Sequence, residues 1–134
     1  MTREIAYVDA PVISAVELAD LFRASGINRP VNDLARLEEM LRHANLTIAA
    51  YLDGRLVGIA RALTDFSYCC YLSDLAVVKE LQHRGIGREL MRRIKQRVGD
   101  QSNLLLLSAP GAMGYYPKVG FEKVENGWII KRGS

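Results

Sequence analysis

The chain has 134 residues, enough for one compact domain and too few for two. Hydrophobic residues make up 49% and charged residues 25%, so one apolar core can form without disulfides or metal staples. No apolar run approaches the ~20 residues that span a bilayer, and the opening Met1-Thr2-Arg3-Glu4 lacks the apolar stretch of a signal peptide. The expectation is a single domain over residues 1–134, cytoplasmic, with no membrane partner. Cys69 and Cys70 are adjacent. Neighbouring side chains on a strand point to opposite faces, which excludes an ordinary disulfide. With His43 and His83 far apart and no CxxC pair, no metal-ligand spacing is present.

Pro11 suits the first turn of a helix, and Ala15, Leu18, Leu21 and Phe22 then share a face until Gly26 stops it. Asn32 is placed to cap a second helix, in which Leu34, Leu37, Met40 and Leu41 repeat the spacing. Residues 47–52 and 55–60 are apolar runs around Asp53-Gly54, a pair that favours the type I′ turn of a hairpin. Residues 68–78 read as a third antiparallel strand. A polar turn with Gly85 and Gly87 leads into a helix with Leu90, Met91, Ile94 and Val98 inward, ended by Gly99. Residues 103–108 hold four consecutive leucines and read as a strand covered on both faces. A short helical stretch between Pro110 and Pro117 follows. Residues 121–124 and 128–131, around Asn126-Gly127, then read as a closing hairpin. A strand at residues 5–8 precedes the whole. The order is that of an α+β domain.

Charge is uneven within a net +3: Lys79, Arg84, Arg88, Arg92, Arg93, Lys95 and Arg97 face only Glu80 and Glu89. Such a cluster is a solvated helix face, a nucleic-acid patch or a pocket for a phosphorylated small molecule. What precedes the helix discriminates. Leu75-Ala76-Val77-Val78-Lys79-Glu80-Leu81-Gln82-His83-Arg84-Gly85-Ile86-Gly87-Arg88 reads as a strand, a turn, and glycines at the mouth of a helix. A helix N-terminus carries unpaired N–H groups and the positive end of the macrodipole, and glycines let a diphosphate approach them. No GK[ST] follows, so this is not a Walker A loop, and the GxGxxG of a dinucleotide fold is incomplete.

Gln82-His83-Arg84-Gly85-Ile86-Gly87 resembles the Q/R-x-x-G-x-G/A diphosphate loop of the GCN5-related N-acetyltransferases (GNAT), and Leu75 to Val78 resembles that family's fourth strand. Ala112-Met113-Gly114-Tyr115-Tyr116-Pro117-Lys118-Val119-Gly120-Phe121 is similar to the family's A-x-x-F/Y-Y-x-K-x-G-F segment, in the right order and at the right distance. The sequence departs from the pattern at Ala109, where many members carry an Asn that holds the cofactor, and at Pro117, where an acidic residue is usual.

The resemblance implies a mixed, mostly antiparallel, V-shaped sheet flanked by about four helices. It also implies an acetyl-CoA-dependent N-acetyltransferase, with direct attack of an amine on the thioester. In this chain the cofactor would be held by Leu75, Ala76 and Val77 on the strand and by Gln82, His83, Arg84, Gly85, Ile86, Gly87 and Arg88 at the loop and helix. Tyr116 stands where the family's general acid stands, and Tyr115 reads as core. An unperturbed tyrosine has a pKa of ~10 and is protonated at neutral pH. For the base, Asp74 and Asp65 are the candidate carboxylates; either also suits capping a turn or holding a loop. The expected acceptor is a small-molecule amine. Nucleic acid is disfavoured because no interleaved surface aromatics or RNA-binding signature accompany the basic helix. A polypeptide acceptor, a non-catalytic acyl-CoA sensor and a homodimer through C-terminal edge strands stay open.

Overall fold

The computed structural model describes residues 4–133; residues 1–3, where the reading of the N-terminus begins, lie outside it. Five strands form one sheet in chain order: β1 (Ala6–Asp9), β2 (Leu46–Leu52), β3 (Arg55–Thr64), β4 (Cys69–Val77) and β5 (Asn103–Leu105). The first four are antiparallel and β5 joins β4 in parallel. Three α-helices accompany them: α1 (Ala15–Ser25), α2 (Leu34–His43) and α3 (Ile86–Val98).

Local chemistry fixes the ends of these elements. Ser14 and Glu17 close a reciprocal capping box at the start of α1, and Gly26 ends it at φ 82°. Asp33, one residue after the expected Asn32, caps α2 by accepting the Arg36 N–H; Asn32 instead accepts from the Arg23 guanidinium at 3.2 Å. Asp53 and Gly54 both have positive φ, 51° and 80°, as the type I′ reading of the β2–β3 turn requires.

Residues 56–62 of β3 are all buried, so both faces of the sheet are covered there. α1 packs on β3 and β4, and α3 packs on β2, β3 and β4. Gly58 permits the close seating of α3: a Cβ there would stand 3.3 Å from Ile86 Cγ2 and from Leu90 Cδ1. That contact brings the first turn of α3 to the C-terminal end of β4.

Two expectations fail after α3. Only Leu104 and Leu105 of the leucine run pair with β4, and Leu105 and Leu107 are exposed. The short helical stretch expected beyond it takes the form of two 3₁₀ turns, Pro110–Ala112 and Tyr116–Val119. Residues 121–133 contain no strand, leaving Trp128 and Ile130 96% and 99% exposed. A two-residue-loop hairpin is marginal by itself, and β5 offers only a three-residue ladder for it to extend.

Candidate active site

The site begins with a break in the sheet. β5 pairs with Cys69, Cys70 and Tyr71 only, so β4 and β5 part beyond Tyr71 and Leu105. On its other side β4 stays bonded to β3, with a register shift opposite Arg61/Ala62 that makes Ser73 an extra, bulged residue. The Val78 N–H donates to the Val57 carbonyl at 3.0 Å. Since backbone groups alternate sides along a strand, Leu75 and Val77 turn their N–H and C=O groups to the opposite edge, where β5 no longer pairs and only the Val77 carbonyl is taken, by the Gln82 side chain. Ala76 faces β3 with its backbone and is buried.

The loop after β4 carries that edge to the mouth of α3. Lys79–Leu81 form a 3₁₀ turn, and the Gln82 side-chain amide donates to the Val77 carbonyl at 2.8 Å and to the Ser25 carbonyl at 3.3 Å. Gln82 therefore fastens the loop to the strand end and to α1. His83 and Gly85 take left-handed conformations, φ 67° and 88°. Gly85 is the N-cap of α3 and offers no capping side chain. The first intrahelical bond runs from the Glu89 N–H to the Gly85 carbonyl, leaving the N–H groups of Ile86, Gly87 and Arg88 open as at any helix start. Ile86 sends its side chain into the core, so its backbone alone faces the mouth. A Cβ on Gly85 would meet nothing within 4 Å. Arg84 and Arg88 are exposed, and among the described residues neither is in an ion pair. Glu89, the one acid in the first turn, is bonded by Arg92 and Arg93, which hold its carboxyl at about 2. The mouth is a cluster of donors and cations with open space before it, which fits a diphosphate.

Tyr116 lies at the start of the second 3₁₀ turn, half-buried against the core. Tyr115 and Phe121 meet its ring edge-on at centroid distances of 5.3 and 5.5 Å. Burial raises the Tyr116 pKa above its ordinary value, reinforced by Tyr115 and opposed by Arg29, so the hydroxyl stays a proton donor at neutral pH. Tyr115 departs from the core role expected of it: it is 37% exposed, and its hydroxyl lies 3.6 Å from where a Cβ on Gly87 would be.

Asp74 requires a correction. It is 0% exposed, and both carboxylate oxygens are held, by Arg29 Nε at 2.6 Å and by Arg61 Nε at 2.5 Å. Arg61 is itself buried and also donates to Ser73 Oγ and to the Met40 carbonyl. Arg29 also donates to the Ser73 carbonyl at 2.7 Å. The cluster ties the α1–α2 loop, the end of α2 and β3 to the β4 bulge, and no oxygen of Asp74 is open to an incoming amine. Asp65 is also a structural group, accepting the N–H bonds of Ser67, Tyr68 and Cys69, which draw its carboxyl down to about 2. It lies about 20 Å from Leu75, since six extended residues at ~3.3 Å each separate Cys69 from that position. Arg29 and Arg61 were not legible as site-shaping residues. No local motif marks an arginine whose partner is 45 or 13 residues away.

An acetyltransferase (GNAT) domain model matches residues 18–131. An uncharacterized N-acetyltransferase, ycf52, of Porphyra purpurea is 30% identical over 122 residues, covering 86% of this chain and 68% of its own length. The chain belongs to the GNAT acetyltransferase family. A GCN5-related N-acetyltransferase 1, chloroplastic, of Arabidopsis thaliana is likewise 30% identical over 109 residues, 78% of this chain and 54% of that protein. Among solved structures, a GNAT-family acetyltransferase of Streptococcus pneumoniae superposes with a TM-score of 0.73 at 23% identity, covering 96% of this chain and all of its own. The aminoglycoside N-acetyltransferase AAC(6')-Iy, solved in complex with CoA, gives 0.72 at 17% identity, covering 100% of this chain and 98% of its own. These two likenesses carry the fold. As a GNAT acetyltransferase the chain is an acyltransferase enzyme, and no helix among the described residues is long and apolar enough to cross a membrane.

Proposed function

We propose that this acetyltransferase moves the acetyl group of acetyl-CoA to the primary amine of a small molecule by direct attack on the thioester. The observation that carries the reading is the continuity of the free β4 edge, where Leu75 and the Val77 N–H have no strand partner, with the open N–H groups at the start of α3. The edge suits the amide-bearing pantetheine arm, and the helix mouth, with Arg84 and Arg88, suits the diphosphate. Acetyl-CoA supplies an activated acyl group with a thiolate leaving group. The Val77 N–H is the donor for the thioester carbonyl oxygen, a role worth ~3 kcal/mol per donor in comparable sites. Tyr116 Oη donates its proton to the departing sulfur. With Asp74 enclosed and Asp65 remote, solvent water takes the proton of the amine. Likeness in fold to aminoglycoside acetyltransferases supports a small polar amine as acceptor. We expect the reaction in the cytoplasm, with a plastid the alternative suggested by the chloroplastic relative.

Thermal denaturation tests the cofactor assignment. CoA or acetyl-CoA at 100-fold over its dissociation constant should add ~2.7 kcal/mol of apparent stability, and NAD and ATP at equal concentration should add less. No shift with either thioester or thiol at low salt would remove the reading. A second expectation concerns Gly87. Valine there extends its methyl groups toward Tyr115 and the helix mouth, so Gly87→Val should weaken CoA at least ~10-fold by calorimetry. The apo stability should change by less than about 1 kcal/mol, because valine is tolerated in a helix about as well as glycine. Wild-type affinity in that variant would mean that the diphosphate binds elsewhere.

A further inference from the structure

We propose that Tyr115 is a cofactor-binding residue whose hydroxyl donates a hydrogen bond to the diphosphate of coenzyme A at the first turn of α3. The inference rests on the acetyl-CoA reading above and gives the hydroxyl a role at a position where the family pattern admits Phe or Tyr. Three observations support it.

The first is position. The Tyr115 hydroxyl lies 3.6 Å from the site a Cβ on Gly87 would occupy, so it stands beside the open N–H groups of residues 86–88 rather than in the core. The second is its lack of a partner: among the described residues this hydroxyl makes no hydrogen bond. It shares the first turn of α3 with the open N–H groups of the helix start and with the Arg88 cation, which acts on it electrostatically. An oxyanion bound at that turn would accept from all of these donors, the hydroxyl included. Burial raises the Tyr115 pKa, which keeps the proton on the oxygen at neutral pH. The third is preorganisation. The ring is held edge-on to Tyr116, at 5.3 Å and 71°, so little side-chain freedom is lost on binding.

Calorimetry with CoA, paired with NMR titration of pantetheine, which lacks the diphosphate, tests this on wild type and Tyr115→Phe. The expected result is a CoA affinity about 10- to 100-fold weaker in the variant, the range for a hydrogen bond to a charged group. Pantetheine affinity and apo melting temperature should be unchanged. Equal CoA affinity in both proteins overturns the proposal while leaving the acetyl-CoA reading intact. Equal losses for CoA and pantetheine with a lowered melting temperature also overturn it, since Tyr115 would then be supporting the fold. Failure of the wild type to bind CoA overturns both readings together.

Discussion

Tyr116→Phe should lower kcat for acetyl transfer by about 10²–10⁴-fold, the usual contribution of a positioned general acid. The substitution removes one hydroxyl and keeps the ring that packs between Tyr115 and Phe121. Stability should therefore shift by far less than the ~3–5 kcal/mol of an aromatic truncation. CoA affinity by calorimetry should stay near wild type, because a proton given to the leaving sulfur acts chiefly in the transition state. Steady-state kinetics with an accepted amine reads the effect, and pre-steady-state measurement establishes that chemistry limits the rate. An unchanged kcat under those conditions would take Tyr116 out of the mechanism and leave the thiolate to be protonated by solvent. Tyr115→Phe makes a contrasting pair with it, losing cofactor affinity where Tyr116→Phe loses turnover.

Asp74→Ala should cost about 3–5 kcal/mol of folding stability, because it strands Arg61, only 5% exposed, and the half-buried Arg29 without their shared counter-ion. Urea denaturation measures this loss. Against a stability of ~5–15 kcal/mol for a domain, the variant would be marginal or unfolded at 37 °C. Asp74→Asn keeps the shape and one oxygen acceptor and should fall between the two proteins. Were Asp74 the general base, its removal would leave the denaturation midpoint near wild type and abolish turnover alone. The geometry favours the first outcome: a carboxylate clamped from both sides orders the bulge at Ser73, and with it the unpaired edge where the cofactor is proposed to lie.

The parts of the molecule that the sequence discloses are those governed by neighbours in the chain. Gly85 and Gly87 disclose the helix mouth because a left-handed N-cap and an uncluttered first turn are local requirements. Asp53-Gly54 discloses the β2–β3 hairpin for the same reason. Where long-range contacts decide, the reading loses hold. Asp74 carries no signal that arginines from β3 and from the α1–α2 loop will enclose it, so a carboxylate beside a cofactor strand reads equally as a base or as a structural anchor. Tyr115 and Tyr116 are adjacent and chemically alike. Only the 3₁₀ turn at 116–119 sends one hydroxyl toward α3 while the other ring packs on the core. The closing hairpin at residues 121–131 shows the opposite failure. Its turn signal is strong, yet pairing depends on a β5 ladder that ends after three residues.

Free-thiol release from acetyl-CoA across a panel of small primary amines, with mass spectrometry of the products, tests acetyl transfer most directly. At least one amine should accelerate thiol release well above the hydrolysis background, with one acetylated amine formed for each CoA freed. Tight CoA binding with no amine-dependent release, from small amines or peptides, would contradict the account and leave an acyl-CoA-binding protein without transferase chemistry.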